Sequence, residues 1–349
     1  MSRSDSSLPD SPPATAPPRR VTVLSGGVGG ARFLQGVLRL VERSGASTTV
    51  TVVANTGDDL WVHGLKVCPD LDTVMYTLGN GIDAERGWGR VEETWHAKEE
   101  LAAYGVEPTW FGLGDRDIAT HLVRTQMLDA GYPLSAVTAA LCRRWLTPLL
   151  GDRVELLPMT DDRVETHVVI DDPDSGERRA VHFQEYWIRH HAAVAAHAVV
   201  PIGIEDAKPG PGVLEALTET DLVLVPPSNP VVSVGTILGV PGVRDALATT
   251  TAPVVGVSGI IGGDHVRGMA RQLLEAIGVE VSAAGVAEHY GARSRGGVLD
   301  GWLVDTSDAD AVARVEAAGI RCRAVPLWME DADTTAEMVA AALALAAPR

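Results

Sequence analysis

The sequence predicts an α/β fold, a Rossmann-like, doubly wound and mostly parallel sheet with an inserted antiparallel hairpin and α-rich additions. First, a β-favouring run over 21–25 leads into a glycine-rich stretch and then into apolar residues at helical spacing. Second, short buried strands alternate with helical patterns along most of the chain, as βαβ units require. Third, a period-two pattern interrupts this alternation between about 153 and 188, where we expect the hairpin.

Composition and charge narrow the classes of function. The chain has 349 residues, of which 46% are hydrophobic, so it can bury a sizeable core. The net charge of −17 argues against a nucleic-acid groove and favours divalent cations as partners for anionic ligands. The cysteines are odd in number and far apart, which predicts neither a disulfide framework nor a zinc site; they are Cys68, Cys142 and Cys322. We therefore expect a cytoplasmic protein with a small-molecule substrate.

The domain organisation is expected to be simple. Residues 1–19 are rich in Ser, Pro, Asp and Ala and predict a disordered tail. Residues 20–349 predict a single domain, with 279–349 as scaffold. Because no apolar run reaches the ~18 residues of a bilayer span, we expect no membrane partner.

The first strand is followed by four glycines in five positions: Gly26, Gly27, Gly29 and Gly30. Glycines allow a close approach of ligand to the backbone, and the amides that open a helix favour phosphate. The dinucleotide fingerprint is broken by Arg32 at its third glycine position, and the Walker Gly-Lys-Ser/Thr is absent. The alternative is a tight turn between strand and helix.

The predicted second strand, 48–54, ends in polar residues that include Asn55, Asp58 and Asp59. In an open α/β sheet the carboxyl ends of the strands form the ligand edge, so these side chains are expected beside the glycines. A solvated turn is the alternative, because Asp and Gly are common in turns.

Two further acids, Asp70 and Asp72, open the next predicted helix. Either one alone is more simply explained as a helix cap. Taken together with Asp58 and Asp59, they put four carboxylates within fifteen residues, a set suited to Mg²⁺, which takes one or two carboxylates beside water and phosphate.

Later segments supply weaker signals. Lys98 falls on an amphipathic helix, where a lysine is usually solvated. Ser228 and Asn229 lie in a Pro-Ser-Asn-Pro turn after a predicted strand, where they either bind a polar ligand or belong to a rigid turn. Residues 258–263 suggest a second glycine loop.

The remaining segments give secondary structure more than chemistry. A strand is predicted over 109–111, helices over 118–129 and 134–145, and a buried strand of the α/β alternation over 199–202. The sequence offers no nucleophile with a base beside it. Direct phosphoryl transfer by positioning and electrostatics is therefore favoured over a covalent route.

Seven motifs in one order, over about 21–260, resemble the 2-phospho-L-lactate transferase family of deazaflavin coenzyme (F-420) biosynthesis. They are Gly-Gly-Val-Gly-Gly-Ala-Arg (26–32), Asn-Thr-Gly-Asp-Asp (55–59), Pro-Asp-Leu-Asp-Thr (69–73), Gly-Trp-Gly (87–89), Leu-Gly-Asp-Arg-Asp (113–117), Phe-Gln-Glu-Tyr-Trp (183–187) and Pro-Ser-Asn-Pro (227–230). The segment 233–238 departs from the archaeal pattern and resembles the actinobacterial branch, which implies a phosphoenolpyruvyl and not a 2-phospho-L-lactyl unit. The residues alone do not decide between these donors.

The resemblance implies a Mg²⁺-dependent homodimer. In this reaction a ribityl hydroxyl of 7,8-didemethyl-8-hydroxy-5-deazariboflavin attacks the phosphorus of a guanosine diphosphate-linked three-carbon acid, and GMP leaves. It also implies that Asp59 and Lys98 contact the deazaflavin, and that Asp59 serves the metal, the attacking hydroxyl or both. With the neighbouring acids included, the candidate catalytic residues are Asp58 and Asp59, and the candidate metal ligands are Asp59 and Asp72. The glycines and the Ser228-Asn229 pair would hold the guanylyl phosphates, and Asn55 is a further candidate for substrate binding. A nucleotide-dependent oxidoreductase and a non-catalytic nucleotide-binding regulator remain the alternatives.

Overall fold

The computed structural model describes residues 18–266 and 268–347. Its strands are β1 (Arg20–Ser25), β2 (Thr49–Ala54), β3 (Leu60–Val62), β4 (Leu65–Val67), β5 (Val154–Pro158), β6 (Glu165–Asp171), β7 (Arg178–His182), β8 (Ala196–Ile202), β9 (Leu222–Val225), β10 (Val254–Val257), β11 (Ile260–Ile261), β12 (Asp264–His265), β13 (Gly301–Val304) and β14 (Arg321–Ala324). Its α-helices are α1 (Gly27–Ser44), α2 (Pro69–Leu78), α3 (His96–Ala103), α4 (Asp115–Asp129), α5 (Leu134–Trp145), α6 (Thr147–Leu150), α7 (Val213–Thr218), α8 (Val234–Gly239), α9 (Val243–Thr249), α10 (Ala270–Ala276), α11 (Ala283–Tyr290), α12 (Ala311–Ala317) and α13 (Ala332–Ala346).

Seven strands form one parallel sheet in the order β14-β13-β10-β9-β1-β2-β5. Strand β1 lies near the centre because the chain first builds outward through β2 and β5 and then returns to its other side with β9. This reversal between β1 and β9 is a topological switch point, where ligands bind outside the carboxyl ends of the strands. The predicted fold class is confirmed.

Helices cover both faces of the sheet and give it two cores. On one face, apolar side chains of α1, α2, α5 and α13 pack against the strands. On the other face, α7 through α12 form the second core. The central strands β9 and β10 are buried at every position, which explains their continuous apolar runs.

Helices α1 and α13 pack closely at Gly36. A Cβ at this position would lie 2.4 Å from Cγ2 of Thr335, so only a glycine allows the contact. Ion pairs flank it: Nε of Arg39 lies 2.7 Å from Oδ1 of Asp333, and Arg43 pairs with Glu337. The last helix of the described chain therefore covers the first.

The antiparallel insertion differs from its predicted boundaries of 153 and 188. Strand β5 pairs in parallel with β2 and is an edge strand of the central sheet, with only Glu155 exposed. The insertion is a separate three-stranded sheet in the order β7-β6-β8. The strand predicted over 199–202 falls in β8, which pairs antiparallel with β6 and is half-exposed, so its assignment to the α/β alternation was wrong.

Two local predictions were also wrong. Residues 109–111 form bends and no strand. Residues 258–263 do not open a helix, since Gly262 and Gly263, both at positive φ, turn the short β11–β12 hairpin. The glycines after β1 form the first turn of α1 rather than a separate loop, with Gly26 as its N-cap.

The predicted tail lies almost wholly outside the described residues, which begin at Pro18. Pro18 and Arg19 already belong to the domain: the carbonyl of Pro18 accepts a hydrogen bond from Thr48 Oγ1 at 2.7 Å, and the amide of Arg19 donates to Asp221 at 2.9 Å. Within the described residues, no helix is both long enough and apolar enough to cross a bilayer.

Candidate active site

A cavity of about 1800 Å³ runs along the carboxyl edge of the sheet. It is larger than the roughly 300–1,000 Å³ of an ordinary ligand pocket. Its lining includes residues that follow β1, β2, β9, β10 and β14, so it extends to both sides of the switch point. An opening of this size and position suits two substrates side by side.

The centre of the cavity is the contact between the first turn of α1 and the 227–230 turn. The Ser228 hydroxyl donates to the carbonyl of Gly26 at 2.7 Å and accepts from its amide at 3.1 Å. A Cβ at Gly29 would lie 2.5 Å from the carbonyl oxygen of Pro227, and one at Gly30 would lie 2.6 Å from Ser228 Oγ. These glycines therefore allow close backbone packing across the switch point.

Asp70 accepts from one of the amides of the glycine motif, that of Gly27. Its Oδ1 accepts from the Gly27 amide at 2.8 Å, and its Oδ2 accepts from Asn55 Nδ2 at 3.0 Å. Burial raises the pKa of Asp70 to about 6, although these hydrogen bonds favour the charged form. Helix α2 has Cys68 as its N-cap with no side-chain cap bond, so the capping alternative for Asp70 and Asp72 was wrong.

Asn55 is buried and engaged within the protein. Besides donating to Asp70, it accepts from the Gly57 amide at 2.9 Å through Oδ1. Asn229 lines the cavity, and its Oδ1 accepts from the amides of Val231 and Val232. Both side chains thus shape the loops around the cavity; their contact with substrate remains a prediction.

Asp58 and Asp59 have different surroundings. Asp58 lines the cavity, and its buried Oδ1 has no hydrogen-bond partner among the described residues. Burial, with the nearby charge of Asp70, raises its pKa well above the usual range. Asp59 is 1% exposed and is not among the cavity-lining residues; its Oδ2 lies 3.4 Å from Lys66 Nζ. Burial raises the pKa of Asp59 too, and Lys66 opposes this shift.

Asp72 lines the cavity but is paired with Arg124. Both of its carboxylate oxygens accept from the guanidinium, and both residues are buried. This carboxylate is therefore already neutralised by the protein. Metal binding by Asp72 stays a prediction, and it would require the Asp72–Arg124 ion pair to open.

A polar network continues from Arg124 along α4, a segment for which the sequence predicted a helix and no functional residue. Arg124 NH1 lies 3.0 Å from Nδ1 of His121, and because a guanidinium only donates, Nδ1 accepts and the histidine proton lies on Nε2. That nitrogen faces Asp117 at 3.3 Å, and Asp117 also accepts from the Tyr76 hydroxyl at 2.6 Å. Burial opposes the charge of Asp117, but these partners bring its pKa below the usual value.

Three members of this network, Asp117, His121 and Arg124, lie four and three residues apart and so share one face of α4. That spacing is the signal in the sequence that could have revealed them. Asp117 and His121 both line the cavity, so the network forms part of its wall.

The carboxylates around the cavity can be compared with the ligands that Mg²⁺ needs. Within 18–266 and 268–347, no group of three His, Cys, Asp or Glu side chains is placed to hold an ion by itself. Mg²⁺ needs only one or two carboxylates where substrate phosphates and water supply the rest. Asp58, with its unpartnered buried oxygen, and the neighbouring Asp70 fit this shared mode.

Aromatic side chains line much of the cavity. Six of them are tryptophans: Trp88, Trp95, Trp110, Trp187, Trp302 and Trp328. Lys98 also lines the cavity, with its Nζ 5.9 Å from the ring centre of Trp95, and Arg86 lies over the rings of Trp88 and Trp95. The structure therefore brings Lys98 and Asp58 into one cavity.

Comparisons with known proteins identify the family of the chain. The family model for 2-phospho-L-lactate transferase CofD matches residues 21–341. A Streptomyces coelicolor protein called phosphoenolpyruvate transferase is 64% identical, over 94% of this chain and 98% of its own. A Nocardia farcinica protein of the same name is 59% identical over 97% of each chain. A UPF0052 family protein from Bacillus halodurans, at 18% identity and TM-score 0.56, covers 92% of this chain and 98% of its own and shows the same fold.

The match spans nearly all of the described domain, and the relatives that share the chain's length carry a transferase name. Among the three classes that the sequence left open, this excludes the oxidoreductase and the non-catalytic regulator. The chain belongs to the 2-phospho-L-lactate transferase CofD family and is an enzyme of the phosphoenolpyruvate or 2-phospho-L-lactate transferase type.

Proposed function

We propose that the enzyme transfers a phosphoenolpyruvyl group from a guanosine diphosphate-linked donor to the ribityl hydroxyl of 7,8-didemethyl-8-hydroxy-5-deazariboflavin, in coenzyme F-420 biosynthesis. The observation that carries the proposal is the single cavity on both sides of the switch point, because it can seat a donor and an acceptor together. The names of the curated relatives favour phosphoenolpyruvyl over lactyl transfer.

The reaction is a substitution at phosphorus. The hydroxyl oxygen attacks the phosphorus that bears the three-carbon acid, and the bond from that phosphorus to the GMP oxygen breaks. A phosphodiester forms, GMP leaves with the bonding electrons, and the hydroxyl proton is released to solvent. Such transfers depend on positioning and on charge stabilisation more than on covalent chemistry.

The residues near α1 have roles in this scheme. The donor phosphates would lie at the first turn of α1 beside the 227–230 turn, where the helix amides favour anions. Asp58 would accept a hydrogen bond from the attacking hydroxyl and orient it. Asp58 and Asp70 would hold a Mg²⁺ ion, which when bound would neutralise the charge of the diphosphate.

The acceptor ring would lie on the side of Asp58, against the aromatic wall. Trp88, Trp95 and Trp110 offer faces on which a tricyclic ring can stack, and Lys98 lies beside them. This agrees with the predicted contact of Lys98 with the deazaflavin. Asp59 lies outside the cavity lining, so it would contribute by holding the neighbouring Asp58 in position.

The experiment combines purified enzyme, Mg²⁺ and deazaflavin with either the enolpyruvyl or the lactyl form of the guanosine diphosphate-linked donor. We expect a product heavier than deazaflavin by the enolpyruvyl phosphate unit, with one GMP released per product. Faster turnover of the lactyl donor would overturn the choice of donor, and GMP release without a deazaflavin product would overturn the acceptor. We further propose that the enzyme is a cytoplasmic homodimer, which sedimentation velocity tests for the oligomeric state.

A further inference from the structure

The Leu-Gly-Asp-Arg-Asp motif at 113–117 is only partly explained by the wall of the cavity. Its last residue, Asp117, lines the cavity, whereas Asp115 is not among the lining residues. Asp115 is the first residue of α4, and its carboxylate lies against the start of α3, the helix that carries Lys98. The motif therefore connects two helices that meet at the side of the cavity proposed for the acceptor.

Helix α3 has little of its own to hold it in place. It is eight residues long, and none of its side chains is buried. Most helices in proteins are stabilised by the packing of an apolar face, which α3 lacks. Its N-cap residue, Trp95, makes no side-chain cap hydrogen bond, so the first amides of the helix need partners from elsewhere. The place of α3 therefore depends on contacts from outside the helix.

Asp115 supplies the missing cap. Its Oδ2 accepts from the amide of His96 at 3.1 Å, and its Oδ1 accepts from the amide of Ala97 at 2.9 Å. The Thr94 hydroxyl donates to Oδ2 at 2.6 Å. The Thr94 hydroxyl and the two amides lower the pKa of Asp115, so the carboxylate is charged at neutral pH. A negative charge at the start of a helix also interacts favourably with the helix dipole.

Glu93, which precedes α3, caps α4 in return. Its Oε1 accepts from the amide of Arg116 at 2.7 Å, and its Oε2 accepts from the amide of Asp117 at 3.1 Å. The N-cap residue of α4 is Gly114, and a Cβ there would lie 2.1 Å from Cδ of Glu93, so the glycine leaves the room that this carboxylate needs. Each helix thus receives its N-terminal cap from the segment at the start of the other.

The segment before α4 also contacts Lys98 itself. A Cβ at Gly112 would lie 3.2 Å from Nζ of Lys98 and 3.3 Å from its Cδ, so the lysine side chain lies along the backbone of Gly112. Both residues line the cavity. The position of the Lys98 ammonium group therefore depends on where α3 lies relative to residues 112–117.

We propose that Asp115 and Glu93 are positioning residues of the transferase, whose reciprocal caps dock α3 on α4 and thereby place Lys98 in the cavity. The inference rests on the proposed function for the contact between Lys98 and the deazaflavin. Neither carboxylate is among the cavity-lining residues, so both act through the position of Lys98. Their loss should weaken acceptor binding and leave donor binding unchanged.

The first test is steady-state kinetics with each substrate varied in turn. Asp115→Ala and Glu93→Ala should each raise the KM for deazaflavin by about 2-fold to 30-fold, the range for losing a helix cap, with an unchanged KM for the donor. Asp115→Asn should restore most of the loss, because an asparagine Oδ1 still accepts from an amide. The matched control is Asp161→Ala, which removes the carboxylate that accepts from the Ser135 amide at the start of α5, outside the cavity lining, and should leave both KM values unchanged.

Two further measurements ask how the caps act. Amide hydrogen exchange reports the docking of α3 without any substrate: in Asp115→Ala the amides at the start of α3 should exchange faster, and those of α5 should not change. A double-mutant cycle tests the route through Lys98. When Asp115→Ala is added to Lys98→Ala, the KM for deazaflavin should rise little further.

The outcomes separate this inference from the proposed function. If Asp115→Ala raises the KM of both substrates equally, or if its effect adds in full to that of Lys98→Ala, the caps do not act through Lys98 and the inference is overturned. Unchanged exchange of the α3 amides in both cap variants would overturn it as well. If Lys98→Ala leaves the KM for deazaflavin unchanged while Asp115→Ala still speeds exchange in α3, the docking role of the caps is supported and the proposed contact of Lys98 with deazaflavin is wrong.

Discussion

Replacing Ser228 by alanine should loosen the junction between α1 and the 227–230 turn. The variant loses two buried hydrogen bonds to Gly26, one donated and one accepted by the hydroxyl. At about 1 kcal/mol per bond, and more where a buried backbone group is left unpaired, the free energy of unfolding should fall by about 2–4 kcal/mol. With an unfolding entropy of about 2.1 cal/mol/K per residue, this lowers the melting temperature of a domain of this size by about 3–6 °C.

The assay is a thermal melt of Ser228→Ala beside calorimetric binding of GDP. Because the hydroxyl is already used twice by Gly26, we expect weaker GDP binding to follow from displacement of the α1 amides rather than from loss of a direct contact. The matched control is Thr220→Val, which removes a hydroxyl that also makes two hydrogen bonds but lies outside the cavity lining, so it should lower the melting temperature and leave GDP binding unchanged. An unchanged melting temperature in Ser228→Ala would refute the reasoning.

A double variant tests the geometry of the same junction. Gly30→Ala would place a Cβ 2.6 Å from Ser228 Oγ and 2.3 Å from Ser25 Oγ, so it should destabilise the protein by about 1–3 kcal/mol. Removing the Ser228 hydroxyl relieves one of these clashes. The two substitutions together should therefore cost less than the sum of their separate effects, as a double-mutant cycle measures. Strict additivity would mean that the two sites do not touch.

Three further predictions concern ionisable side chains. Asp58→Asn should lower turnover by about 10²-fold or more, and its melting temperature should be unchanged or higher because the substitution removes a buried charge. Asp59→Asn should lower both turnover and melting temperature, because it leaves Lys66 unpaired. Steady-state rates and thermal melts measure these effects, and full activity in Asp58→Asn would contradict its catalytic role. Lys98→Ala should raise the apparent KM for deazaflavin more than for the donor, and equal increases would contradict a deazaflavin contact. Burial lowers the pKa of His182 from 6.5 to about 4, so protonating it costs more in the folded than in the unfolded protein. The free energy of unfolding should therefore be highest above pH 6.5 and fall by up to about 3 kcal/mol as the pH falls toward 4. Urea unfolding across this range should show a shallower pH dependence in His182→Gln.

The sequence was sufficient for the central sheet and for the edge that binds ligand. Strands β9 and β10 are buried on both faces and so appear as apolar runs that end in turn residues. Once strands are parallel, their carboxyl ends share an edge, which is why the predicted neighbours Gly26, Asp58 and Ser228 do line one cavity. The antiparallel insertion was found but its start was misplaced, because β5 and β6 are consecutive extended segments and the sequence does not show that β5 pairs in parallel with β2.

The charge pairs inside the site could not be derived in the same way. Asp70 binds an amide 43 residues away, and Asp72 binds Arg124 52 residues away. Such pairs depend on how α2 approaches α1 and α4, and helix packing angles are not encoded in a local pattern. The sequence identified four acids, but their packing determined their surroundings. Asp72 is paired with arginine, Asp59 lies outside the cavity lining, and Asp58 and Asp70 lie at the switch point.

The packing of α13 on α1 has a consequence for how the enzyme is made. Strand β1 is synthesised some 200 residues before its partner β9, and the helix that covers α1 is made later still. Until residues 332–346 are synthesised, the apolar face of α1 and the cleft around Gly36 stay open to water and to other nascent chains. The native packing around β1 therefore needs two late arrivals, β9 beside it and α13 over α1, and contacts between residues so far apart in sequence form slowly during folding.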